Sequence, residues 1–283
     1  MVDASGGFKW GRAGGEIALD ALLDGTIPAD AEESTLRDHA LEAMAGAHRA
    51  LVDEQKRDPR RVGLGVCATL VLGTARALVV ASIGDTRAYV ARQGTVTPVT
   101  RPDILANDWE RLGKTAADAA SFPDVVTRLL GGPTEYYVPS VRSITLMSGD
   151  AIVLTTRGLH RAVDDTRMAP LIRASDLKGT CDALHALGMP APRILGSPTS
   201  GPSVGNLTSL VARKDGGPDS EPISCLICPP GGRDWAAKAL GASRDALNRL
   251  STYRTVTYHP ICNAPITPEA RSSKARSSKA HSP

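Results

Sequence analysis

Hydrophobic positions along the chain change their period several times, and each change marks an element. Leu36, Ala40, Met44, Ala47 and Leu51 recur at steps of three and four, which puts them in one stripe on a helix facing a core. The spacing predicts a helix over 33–56, preceded by a shorter one over 15–23. Asp30, three residues before Glu33, reads as a variant of the capping box at the start of the longer helix. Asp58-Pro59 ends that helix, because the residue before a proline is pushed out of the α region.

Further on the period falls to two. Residues 77–83 are apolar, β-branched and uncharged, as suits a strand buried on both faces. Gly84-Asp85 breaks the run. Residues 86–92 then alternate, with Ala88 and Val90 on one face and Arg87, Tyr89 and Ala91 on the other. Gln93-Gly94 turns the chain into a strand over 95–99. These three strands are expected to form an antiparallel meander. Residues 67–72, 138–147, 151–155 and 204–213 read as further strands. Residues 173–187 read as a helix with Leu177, Cys181, Leu184 and Leu187 on one side, Cys181 serving as a small buried apolar residue. Residues 101–127 are polar and helical in patches, with Trp109 and Leu112 as anchors. Residues 188–203, rich in Pro, Gly and Ser, form a loop.

Several blocks, in order, resemble the metal-dependent protein phosphatases of the PPM or type-2C family. The segment SIGDTRAYVARQG from Ser82, followed by Pro98-Val99-Thr100, is similar to that family's VGDSRAYL and LTxDH region. The run LMSGDAIVLTTRGLHRAV from Leu146 to Val163 is similar to its LxPGDxLLLCSDGLxxxV block. Val126 to Gly132 resembles its LTRALGG block, VDASGG near the N-terminus its VADGMGG block, and Val204 to Arg213 its closing DNxTxxxVxV strand. The resemblance covers residues 1–214. It implies an α+β fold, a four-layer α-β-β-α sandwich of two antiparallel sheets flanked by helices. It implies hydrolysis of phosphoserine and phosphothreonine on proteins with manganese or magnesium, and a place in signalling beside a Ser/Thr kinase.

Carried over position by position, the resemblance makes Asp3 the metal-bridging carboxylate and Ala4 the residue that lends its carbonyl to a metal. Asp103, one position late in the LTxDH region, is the candidate ligand of a third metal; the alternative is a solvated loop carboxylate. Two further metal positions are lost. Arg157 stands where the family has an aspartate, and Gly205 replaces another. Asp164-Asp165 follows the block too late to substitute and reads as a turn or helix cap. The family's first strand, with its phosphate-binding Arg, has no counterpart, so the domain is expected to be truncated at its N-terminus. Arg157 is expected to point into the cleft and pair with Asp3. Activity is therefore expected to be impaired or absent. The alternative is a pseudophosphatase that binds a partner or phosphopeptide without turnover.

Composition adds limits. No run of about 18 apolar residues exists, and the N-terminus lacks a basic-then-apolar leader. Five cysteines is an odd number, which argues against a disulfide framework and for a cytoplasmic setting. The net charge of +3 resides in the tail. From Glu269 onward there are four Lys and Arg against that one acid, so the body is neutral and no nucleic-acid partner is expected. Residues 215–268 are expected to be a linker and a Cys/His-containing extension, with a helical pattern over 234–250. There Cys225, Cys228, His259 and Cys262 have spacing compatible with one tetrahedral zinc site; free thiols are the other reading. Residues 269–283 repeat a short basic, Ser-rich unit and read as disordered.

Overall fold

Alternation along the strand Leu78–Ile83 sets the architecture. Its six positions are all buried, because each face meets a different core. Val79, Ala81 and Ile83 pack with helix residues Leu36, Ala40, Met44 and Leu51. Leu78 and Val80 pack with Ala88, Val90, Ile152 and Leu154. A strand sandwiched in this way has no polar face, which is why its sequence shows none.

The computed structural model describes residues 1–5, 7–25, 27–28, 30–74, 78–114, 124–172, 177–188, 209–214, 223–228 and 256–258. In chain order the elements are β1 (Val2–Ser5), α1 (Gly7–Leu22), α2 (Glu33–Arg57), β2 (Gly65–Gly73), β3 (Leu78–Ile83), β4 (Arg87–Arg92), β5 (Thr95–Pro98) and α3 (Leu105–Arg111). Then follow β6 (Ser140–Ile144), β7 (Ala151–Thr155), α4 (Arg157–Ala162), α5 (Asp165–Met168), α6 (Leu177–Gly188), β8 (Ser209–Lys214), β9 (Ile223–Cys228) and β10 (Val256–Tyr258). One sheet has the order β1-β2-β3-β6 and the other β10-β9-β8-β7-β4-β5. Helices α1 and α2 cover the first sheet. Tyr89, Ala91 and Val153 on the outer face of the second sheet pack with Leu159, Met168 and Leu184 from α4, α5 and α6. The result is the expected α-β-β-α sandwich.

The expected meander is not what forms. β3 pairs with β2 and β6, whereas β4 pairs with β5 and β7. Gly84-Asp85 is thus a crossing from one sheet to the other. A strand that turns back and a strand that crosses over have the same period of two, so alternation alone does not separate them. The crossing needs a glycine. Gly84 has φ +89°, and a Cβ there would lie 2.5 Å from the Cys67 Sγ. The next turn is a true hairpin, with Gln93 and Gly94 both at positive φ.

Other departures are local. Helix α2 begins after Glu32 with no side-chain cap, so Asp30 does not form the expected box. Asp58 does end α2, and its carboxylate accepts from the Arg60 N–H. Leu112 is exposed rather than an anchor. Asp164 caps α5 through the Arg167 N–H at 2.9 Å, as a helix-capping aspartate should. Beyond Lys214, β9 pairs antiparallel with β8, and β10 pairs parallel with β9. Part of the expected extension thus continues the second sheet, and one of its strand pairs is parallel. Gly188, the first residue of the expected loop at 188–203, ends α6; the rest of that loop and the helical pattern at 234–250 lie outside the described residues.

Candidate functional site

The site forms where the two sheets expose their ends to each other. β1 places Asp3 opposite Cys67 of β2. β7 ends at Thr155, and α4 starts at Arg157 directly above it. The first N–H groups of a helix have no partner within it. The Arg157 N–H is one of these, and it donates to Asp3 Oδ2 at 3.4 Å. Burial pushes the Asp3 carboxyl up from its usual range; the Arg157 N–H opposes that shift and the nearby Asp85 adds to it.

Asp85, from the crossing turn, is the hub. It is buried, and its Oδ1 accepts from Arg87 Nε and Nη2, both at 3.3 Å. His160 Nε2 lies 3.1 Å from the same oxygen, and Arg157 Nε lies 3.7 Å from Oδ2. Burial alone would raise the Asp85 carboxyl, but His160 and Arg87 outweigh it and hold the group below the ordinary carboxylate range. The other side of the His160 ring, Nδ1, is 3.3 Å from Thr155 Oγ1. Burial lowers the imidazole, so it is neutral at neutral pH. The Cys67 thiol below the site is pushed up to about 12 by burial, so it is not a nucleophile.

The expected Arg157–Asp3 side-chain pair is replaced by another arrangement. The Asp3 contact comes from the Arg157 main chain. The guanidinium faces Asp85, and its Nη2 donates to the Asp124 carbonyl at 2.8 Å.

Asp103 is not a solvated carboxylate; protein groups face both of its oxygens. It is 2% exposed. Its Oδ2 accepts from the Gly84 N–H at 3.0 Å, while Oδ1 lies 3.0 Å from Arg128 Nη2 and 3.8 Å from Arg111 Nη2. It braces the crossing turn and ties it to the segment after α3. Burial nonetheless raises its carboxyl, against the Gly84 N–H and the two arginines.

Ala4 lies in β1 opposite Val66. Gly205 lies outside the described residues. Cys225 and Cys228 lie within β9, and His259 and Cys262 lie outside the described residues. Asp85, Arg87, Asp124 and His160 were not singled out from the sequence. Asp85 read as a turn former, and His160 sat unremarked inside the aligned block Leu146 to Val163.

Among the described residues the donors at the site do not suit a two-metal centre: Asp3 and Asp85 are the carboxylates there, and the Arg157 guanidinium lies 3.7 Å from Asp85. Among the described residues no group of three or more His, Cys, Asp or Glu is placed to hold an ion.

No protein-family model matches the chain. Among curated proteins it is 24% identical over 191 residues to the serine/threonine protein phosphatase PstP of Mycobacterium tuberculosis, which covers 66% of this chain and 36% of PstP. The chain thus spans about a third of that relative's length. It is also 24% identical over 178 residues to a putative protein phosphatase 2C-type of Streptococcus pyogenes, covering 61% of this chain and 71% of that protein. Among solved structures, the serine/threonine phosphatase Stp1 from Staphylococcus aureus superposes with TM-score 0.61 at 18% identity, covering 76% of this chain and 82% of that one. The PstP catalytic domain, solved in complex with two manganese ions, superposes with TM-score 0.52 at 24% identity, covering 66% and 76%.

Proposed function

We propose, for a chain that belongs to the PPM-type (type-2C-like) protein phosphatase family, that it keeps the family's phosphoprotein recognition while its metal-dependent turnover is impaired or absent. The single observation behind this reading is the placement of Arg157. It occupies an aspartate position of the family; its guanidinium lies 3.7 Å from Asp85, and its main-chain N–H donates to Asp3.

Two-metal phosphoester hydrolysis needs carboxylates that neutralise two dications and acidify a water between them. An arginine carries its charge permanently. At ~4 Å it opposes each unit of positive charge on an ion by about 4 kcal/mol at an effective dielectric near 20. An arginine can meet phosphate oxygens through its planar fork, yet it generates no hydroxide. The ligand class is accordingly a phosphorylated Ser or Thr side chain on a protein, in a pathway shared with a Ser/Thr kinase. The odd number of cysteines accords with work in the cytoplasm. A zinc ion on Cys225, Cys228, His259 and Cys262 is a separate proposal, tested by metal analysis of chain purified without chelators.

Hydrolysis of a phosphoserine peptide, followed with manganese and with EDTA, tests the functional reading. The expected result is negligible release of phosphate in both. Manganese-dependent turnover abolished by Asp3→Ala would overturn it.

A further inference from the structure

Arg157 and Arg161 are four residues apart on α4, so their side chains project from the same face. Both end on one residue. Arg157 Nη2 donates to the Asp124 carbonyl at 2.8 Å, and Arg161 Nη2 donates to Asp124 Oδ2 at 2.6 Å. Asp124 therefore offers two oxygens, one neutral and one charged, to a pair of guanidinium groups. The three side chains are open to solvent, at 36% for Arg157, 51% for Arg161 and 43% for Asp124. Arg157 is anchored from behind by the buried Asp85, so one edge of its fork is fixed and the other is presented outward.

We propose that these two arginines form an oxyanion site whose resident occupant is Asp124, and that a phosphomonoester displaces it. This rests on the reading above that the chain recognises phosphorylated side chains without metal. The chemistry favours exchange. A phosphomonoester carries about −1.5 to −2 charges and three acceptor oxygens at neutral pH, against one charge on the Asp124 carboxylate and none on its carbonyl. Exposed ion pairs such as Arg161–Asp124 contribute only about 0–1 kcal/mol, so the occupant is cheap to remove. The segment after Asp124 stays in place, because Val125 accepts from the Leu105 N–H and Thr127 donates its N–H to Asp103. Only the Asp124 contacts have to open.

The test is calorimetric titration in EDTA of the full chain with a phosphoserine peptide, its unphosphorylated form and inorganic phosphate. Wild type is compared with Asp124→Asn and Arg161→Gln, each checked for an unchanged thermal melt. Asp124→Asn should bind the phosphopeptide about two- to fivefold more tightly, since it removes a competing exposed ion pair. Arg161→Gln should weaken binding relative to wild type. Inorganic phosphate alone should compete, because the dianion is what is recognised, and the peptide arm shows how much the chain around it adds. Equal binding of the unphosphorylated peptide, no tightening in Asp124→Asn, or no binding by any variant would overturn the proposal. Manganese-dependent hydrolysis by the wild type would sink the functional reading, yet the ranking of the three chains in EDTA would still decide the Asp124 exchange.

Discussion

His160 Nε2 stands 3.1 Å from Asp85 Oδ1, and both side chains are almost fully buried. The approach is close but off-axis, so it is an electrostatic contact and not an aligned hydrogen bond. It joins α4 to the crossing turn and so to both sheets. Three charged groups face the imidazole, Asp85, Arg87 and Arg157, and the neutral Thr155 hydroxyl lies against Nδ1.

Because burial lowers the folded-state pKa of His160, the unfolded chain binds more protons there. Stability from this group is then present above the unfolded value, near 6.5, and is lost as pH falls below it. The melting temperature should drop as pH falls below about 6.5, and His160→Gln should flatten that part of the profile. A profile equally steep in the variant would assign the dependence elsewhere. Asp85, held below its ordinary range, adds a second loss only at lower pH, as the pH approaches its depressed folded value.

Gly84→Ala forces a non-glycine residue to φ +89° and brings its Cβ within 2.8 Å of the Cys67 Cβ. A cost of roughly 2–4 kcal/mol is expected from strain and overpacking together. Cys67→Ala should recover part of it, because the nearest clash is with the sulfur. A double-mutant cycle in urea measures the recovery, and strict additivity would show that the two residues do not collide.

Arg92 grips Asp150 with Nε at 2.9 Å and Nη2 at 2.6 Å, and the Met147 N–H donates to the same carboxylate at 2.7 Å. Asp150 is 2% exposed. Asp150→Ala leaves the guanidinium and the N–H without their acceptor, at a cost of about 1.5–3 kcal/mol. Chemical denaturation should show a lower midpoint with an unchanged slope.

The Cys67 thiol, buried with its pKa pushed up to about 12, should resist alkylation at pH 8 in the native chain. Peptide mapping after iodoacetamide should find Cys67 modified only after unfolding. Rapid native labelling at that residue would mean that the site opens to solvent.

Much of the fold was legible because apolar periodicity reports burial directly. Leu36 to Leu51 face one core, and Ala88 and Val90 oppose Tyr89 and Ala91, as their alternation requires. Sheet membership was not legible. Nothing local in Gly84-Asp85 tells whether β4 returns along β3 or leaves it; that choice is made by distant pairing with β7. The site was half legible. Asp3 and Arg157 lie together, but through the Arg157 main chain and not through the expected side-chain pair. Asp85 and His160 join them through tertiary packing, which residue spacing does not encode. Asp103 looked like an exposed loop acid, yet Arg128 from far along the chain buries and pairs it.

The central claim is that the Arg157 guanidinium, set against Asp85 in the site that holds Asp3, takes the place of metal charge. Calorimetric titration of the wild-type chain with manganese tests it most directly. The account predicts no two-site binding up to millimolar concentrations, with two-site binding regained, at least in part, when Arg157→Asp is combined with Gly205→Asp. Two manganese sites in the unmodified chain, both lost in Asp3→Ala, would contradict it.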